Sequence, residues 1–288
     1  MELIKQLIPV FLTVSLALLV MSVGMASARG ELAYVLRRPA LLVRGIVAVN
    51  IIPLIVAVVI VSIFPISRAA AAGLLVMALS PVPPLVPGKM MKFGGHSDYA
   101  YGLYTAMALF AIITVPLLGS LTAGYYESAA DFPVSVVATN VFIGVIVPLV
   151  IGLALGRRFA PEFSHRYAPL IQKVSLVLVI AAFLPILATS WPMMVHLIGD
   201  GTVIAFACFV AAIVTAGHLL GTGDVGDRAT LAFAAAVRHP GIALALVGAN
   251  HADKKVSAAV LLLLLVGLLV LFPYQMLIKR RLAAAAAE

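Results

Sequence analysis

Charge is the first thing this sequence lacks. Only 10% of its 288 residues are Asp, Glu, Lys or Arg, against about 25% in soluble domains. A water-facing surface cannot be covered with so little charge, which excludes a soluble enzyme. Cysteine is almost absent as well. Cys208 stands alone in an apolar run, so an intrachain disulfide is impossible and a small core residue is expected there. No Asn-x-Ser/Thr sequon occurs, and no linker or low-complexity insert interrupts the chain. No interval leaves room for a separate soluble domain of about 50 residues.

What is present is apolar. Hydrophobic residues make up 64% of the chain and the mean hydropathy is +1.18. The solvent of such a chain is lipid, and the fold class expected is an all-α integral membrane protein, one domain over residues 1–288. The net charge of +8 points to Lys- and Arg-rich cytoplasmic loops and not to nucleic acid.

Apolar runs of the length that crosses about 30 Å of hydrocarbon predict nine spans. They are Leu7–Ala26, Ala40–Phe64, Ala69–Met91, Ser97–Leu121, Pro133–Leu155, Pro169–Ser190, Thr202–Leu220, Thr230–Ala249 and Val256–Ile278. Alternate connections carry Arg29, Arg37 and Arg38; Lys89 and Lys92; Arg157, Arg158 and Arg166; Arg228; and Lys279, Arg280 and Arg281. The opposite side has Lys5, Arg68, Lys254 and Lys255. The richer side is expected to be cytoplasmic, which places the N-terminus outside and the C-terminus inside a cell (inner) membrane. A signal peptide cleaved near Ala26-Ser27-Ala28 is the rival reading of the first span. It would leave Arg29, Arg37 and Arg38 outside, against the charge rule, so a retained helix is expected. Residues 283–288 read as a tail.

Two spans are interrupted. Ser80-Pro81-Val82-Pro83-Pro84-Leu85-Val86-Pro87-Gly88 holds four prolines, each of which removes an N–H and clashes with the preceding turn. No continuous helix survives that. The eighth span breaks at Arg238-His239-Pro240-Gly241. Unpaired backbone at membrane depth is tolerated only where it is buried in protein or lines a cavity. Each break is followed by a polar turn (Gly94-Gly95-His96-Ser97-Asp98 and Asn250-His251-Ala252-Asp253-Lys254) and a long apolar helix. Those helices run through Pro116 and Pro273, 35 and 33 residues beyond Pro81 and Pro240. Four spans end at Leu121 and five follow, as in two five-span inverted repeats of which the first lacks its first helix. Paired interrupted helices in inverted repeats mark the substrate site of secondary transporters; isolated proline kinks are the plainer alternative.

At these residues the chain resembles the bile acid:sodium symporter family. The resemblance is most specific from Ala229-Thr230-Leu231-Ala232-Phe233 to Pro240-Gly241-Ile242-Ala243-Leu244-Ala245, and is present at Ser80-Pro81. It implies two inverted repeats, with a panel domain packed on a core domain where two unwound helices cross; auxin efflux carriers share that architecture. In sodium-coupled members the second crossing reads Glu-x-Gly-x-Gln-Asn-x-Gly. Ala234, Ala236, Arg238, His239 and Gly241 stand in the matching positions here. Their first crossing reads Pro-Gly-Gly-Thr-x-Ser-Asn, where this chain has Pro81, Val82, Pro83, Pro84, Leu85, Val86 and Pro87. A hard cation needs several oxygen ligands, so the family's sodium coupling is not expected.

An intramembrane Arg costs at least ~2.5 kcal/mol on insertion scales, so Arg238 must face a partner or a cavity. Three roles are open: replacing the bound cation, binding an anionic solute as a planar fork, or, more plainly, neutralising a buried acid or capping carbonyls. His239 could carry a coupling proton. Ser80, Pro81, Pro83, Pro84, Pro240 and Gly241 shape the crossing. Asn50, Thr105, Tyr104 and Asn140 line a cavity or bond between helices. His218 reads as an interhelical contact, and Arg44 as an anchor that snorkels to the interface. No pair of His or Cys residues has metal-site spacing, so neither metal nor cofactor is expected.

Gly221-Thr222-Gly223-Asp224 matches the Gly-x-Gly-Asp pattern of intramembrane aspartyl proteases, which need a second carboxyl close by. Asp98, Asp131, Asp200, Asp227 and Asp253 all fall in loops or at span ends, and Asp224 suits an ordinary turn. The expectation is a secondary transporter of a small, anionic organic solute in the lipid bilayer, not an enzyme. A sodium-dependent organic-anion or bile-acid-type symporter with a relocated ion site is the alternative, and a non-transporting membrane protein or protease is the reading from another class.

Overall fold

The structure is a computed structural model that describes residues 2–27, 30–125, 134–249 and 253–285. The expectations placed on Ala28, Arg29, Asp131, Pro133, Asn250, His251, Ala252, the Lys5 side chain and residues 286–288 lie outside the described residues. Every described element is helical. The helices are α1 (Glu2–Ala26), α2 (Glu31–Leu36), α3 (Pro39–Ile63), α4 (Arg68–Leu79), α5 (Val86–Met91) and α6 (Ser97–Tyr125). After these come α7 (134–159), α8 (Pro161–His196), α9 (Thr202–Leu220), α10 (Val225–Ala236), α11 (Pro240–Ala249) and α12 (Lys254–Ala285). Wider π-type turns interrupt α3 at Val47–Ile51 and α7 at Phe142–Ile146 and Leu155–Phe159.

Local chemistry sets many of these ends. The Ser67 hydroxyl accepts from the Ala70 N–H at 3.2 Å and starts α4; the Asp224 carboxylate accepts from the Asp227 N–H at 2.8 Å and starts α10. Such caps satisfy donors that the first turn leaves unpaired. Pro39, Pro161 and Pro240 each open a helix, where a missing N–H costs nothing. Pro169 does not start a span as expected: α8 begins at Pro161 and carries Pro169 inside it. The expected tail is helical as far as described, since α12 runs to Ala285.

Among the described residues, 7 helices are long and apolar enough to cross a membrane, and Val10–Ala26 and Arg68–Leu79 are shorter apolar helices. The protein is a multi-pass membrane protein. Helix α8 shows the solvent most plainly, because Val177 (64%), Leu184 (58%) and Trp191 (54%) are exposed and only lipid can cover them.

Two packing groups organise the helices. In one, α1 lies along α7 and α8, with backbones touching where a Cβ on Gly152 would overlap Met21 O. In the other, α9 packs on α10, α3 and α12, and α4 lies on α12. The short α2 rests on α6, and α8 meets α12 where the groups join. Both interrupted spans sit within the second group.

Candidate functional site at the crossing of two broken helices

Helix α4 stops at Leu79, and Ser80 to Leu85 are non-helical before α5. Helix α10 stops at Ala236, and Val237 to His239 are non-helical before α11, with Val237 extended. The two breaks meet: the His239 N–H donates to Pro81 O at 3.0 Å. Ser80, Pro81, Pro83, Pro84, Arg238 and His239 are all buried, so the bare backbone is enclosed in protein, as its polarity requires.

Arg238 occupies the centre of the crossing, 3% exposed. Its Nε donates to Met77 O at 3.2 Å, one terminal nitrogen to Val49 O at 2.7 Å and Ala235 O at 3.3 Å, and the other to Ala78 O at 2.6 Å. Four of the five guanidinium N–H donors are therefore spent on backbone carbonyls from three helices. The described residues give it no carboxylate partner.

Proline removes the helical partner of two of these carbonyls, although Met77 O also accepts from the Ser80 N–H and hydroxyl, each at 3.2 Å. In an α-helix Val49 O would bond to the N–H of residue 53 and Met77 O to that of residue 81, and both positions are proline, which has no N–H. Ala235 O loses its partner because the His239 N–H turns to Pro81 O. Helices α4 and α10 also end here, each presenting about half a unit of negative charge at its C-terminus. Two such ends balance the single positive charge of the guanidinium. The caged charge needs no acid.

His239 is 2% exposed. Its Nδ1 accepts from the Ile242 N–H at 3.3 Å, helping to start α11, which leaves the ring proton on Nε2. That nitrogen has no partner. Gly241 lies against α1, where a Cβ would overlap the Leu16 side chain.

The remaining expected residues divide. Asn50 is buried in the π-type turn of α3, accepting from the Thr114 hydroxyl at 3.2 Å on α6; it acts between helices, beside Val49. Thr105 and Tyr104 are buried on α6 with unpaired hydroxyls, and no hydrogen bond joins them to the crossing among the described residues. Asn140 is partly buried on α7. His218 Nδ1 lies 2.8 Å from the Tyr274 hydroxyl, the interhelical contact expected of it. Asp224 caps α10 and is 52% exposed, an open setting unlike a desolvated acid pair.

A cavity of about 340 Å³ opens beside the crossing, between α8, α9 and α12. Pro83, Arg238 and Pro240 form its crossing side, and Phe183 and Leu268 are among its apolar walls. Its charged lining residues are Lys89 and Arg238, both cationic. The part that Lys89 plays here was not anticipated from the sequence, where it read as a loop cation. Val49 was missed too, although Pro53 four residues on was the available signal.

Comparison with known proteins agrees with this geometry. The sequence profile of the sodium bile acid symporter family matches residues 13–197, which takes in the first break and ends before the second. No curated protein matches the chain. A match over more than half of its length, with the interrupted helix inside it, establishes that this chain belongs to the sodium bile acid symporter family.

Proposed function

We propose that this protein is a secondary transporter for a small anionic organic solute, working by alternating access in the cell inner membrane. Membership of a solute-symporter family and two buried broken helices in contact support the carrier reading. On this proposal nine spans form two inverted repeats, with the α1, α7 and α8 group as the panel and the rest as the core. The two moving against each other would expose the crossing to either side. The N-terminus is outside and the C-terminus cytoplasmic.

The observation that carries the mechanism is the Arg238 cage. Its four carbonyls and two helix ends are an environment made for a cation, and the chain supplies that cation covalently. A sodium ion added about 4 Å from the guanidinium would meet a repulsion of ~4 kcal/mol at an effective dielectric near 20. That is about three orders of magnitude in affinity. Arg238 thus stands in place of a sodium ion, and the His239 imidazole is assigned the coupling proton, taken up at Nδ1 when that nitrogen releases the Ile242 N–H.

The cavity indicates the solute class. Apolar walls with Lys89 as the cation outside the carbonyl cage, and no acidic lining residue, suit an organic anion with an apolar body. Its volume falls at the small end of ligand pockets, roughly 300–1,000 Å³. Counterflow into proteoliposomes, with a panel of radiolabelled aliphatic and aromatic carboxylates, tests this. Saturable uptake of at least one carboxylate, lost in Lys89→Gln, is expected. Uptake no greater than in empty liposomes, or equal uptake of matched organic amines, would overturn the proposal.

A further inference from the structure

A second polar cluster lies away from the crossing, where two turns far apart in sequence meet. His96 caps the start of α6, with its carbonyl accepting from the Ala100 N–H at 2.9 Å. Asp224 and Asp227 stand at the start of α10. The backbones of these segments are in contact, because a Cβ on Gly226 would overlap Gly94 O.

Each carboxylate is held by one oxygen and offers the other. Asp227 Oδ1 accepts from the His96 N–H at 3.2 Å, and Asp224 Oδ1 accepts from the Asp227 N–H at 2.8 Å. The second oxygens both face the imidazole: Asp227 Oδ2 pairs with His96 Nδ1 at 3.1 Å and Asp224 Oδ2 lies 3.7 Å from it, so a bound ion would take the place of the imidazole proton. One ligand atom from each of the three residues falls within 4.8 Å of the others. Ligands about 2.0–2.2 Å from a zinc-like ion stand roughly 2.9–3.5 Å apart at octahedral to tetrahedral angles, which includes the 3.1 Å pair and requires the exposed Asp224 side chain to move in by a few tenths of an ångström or more. Anchoring one oxygen by a backbone N–H is the support that fixes a ligating carboxylate.

We propose that His96, Asp224 and Asp227 form a binding site for one divalent transition-metal ion, clamping the turn after the first broken helix to the start of the second. Two carboxylates match the charge of the ion, and the imidazole selects zinc, nickel or cobalt over magnesium and calcium. The His96 and Asp224 side chains are 62% and 52% exposed, so water completes the coordination. No spacing rule could find the site, since its ligands are 128 and 131 residues apart.

The test uses the whole protein in detergent, stripped with chelator and dialysed, then titrated with Zn²⁺ by calorimetry and with Co²⁺ by visible absorption. One equivalent of Zn²⁺ is expected to bind and raise the melting temperature, and Co²⁺ is expected to give d–d bands. His96→Ala alters only an exposed side chain and should weaken binding at least ~10-fold. Asp227→Asn keeps the Oδ1 acceptor and is expected to do likewise. His165→Ala, at an exposed histidine on α8, should change nothing. Absence of saturable binding to the wild type, or equal binding by His96→Ala, would overturn the site.

Discussion

The two breaks that cross at the centre of this protein are opposites in chemistry. The first, Ser80 to Leu85, holds three prolines and contributes acceptors: Pro81 O at its start, and Met77 O and Ala78 O at the end of α4 just before it. The second, Val237 to His239, contributes donors, the His239 N–H and the Arg238 guanidinium. One break removes N–H groups and the other supplies them. Backbone groups left bare by unwinding one helix are therefore satisfied by side-chain and main-chain donors from the other. An unwound helix in lipid is stable when its partner carries the complementary deficit.

The comparison is broken most severely by removing the donors. Each buried carbonyl left unpaired costs about 1–3 kcal/mol, and Arg238→Leu strips Val49 O, Ala78 O and Ala235 O of their donor, so it should lower stability by at least ~3 kcal/mol in a detergent melting assay. Arg238→Lys keeps the charge but replaces the planar fork with a point donor, and should lose about half as much.

Next in size is Gly241→Ala, which drives a Cβ into Leu16. Overpacking of this kind costs about 1–3 kcal/mol, and adding Leu16→Ala should recover most of it if the contact is the cause. A smaller change sharpens the acceptor side. Pro53→Ala returns an N–H that competes with Arg238 for Val49 O, and a shift below about 1 kcal/mol is expected in the same assay.

The smallest effect lies outside the crossing. His96 has its pKa raised by its hydrogen bond to Asp227, by the charge of Asp227 and Asp224, and to a lesser degree by Asp98. In chelator-treated protein its contribution to stability is complete below about pH 6.5 and is lost as pH rises through the raised value. Melting temperature against pH should show that step in the wild type and not in His96→Gln.

Both breaks were legible in the sequence because proline acts locally: the ring that stops a helix can be read without knowing what surrounds it. The membrane class followed as directly from the missing charge. The role of Arg238 was only half legible. Its burial in an apolar run demanded partners, but three roles stayed open, because the carbonyls it caps lie up to 189 residues away. Pro53 carried part of the answer, since it orphans Val49 O, yet a proline near a helix start reads as unremarkable. The length of α8 was misjudged for the converse reason, because Pro169 sits inside the helix where the sequence suggests a start. The meeting of His96 with Asp224 and Asp227 depends on tertiary packing alone and left no local trace.

The caged guanidinium as an internal cation is tested most directly by the melting temperature of the wild-type protein in NaCl, KCl and choline chloride at equal ionic strength. A sodium ion bound at 100 times its dissociation constant would stabilise the fold by about 2.7 kcal/mol. Superimposable melts in the three salts are the predicted result. A rise specific to sodium, saturating with its concentration, would contradict the account.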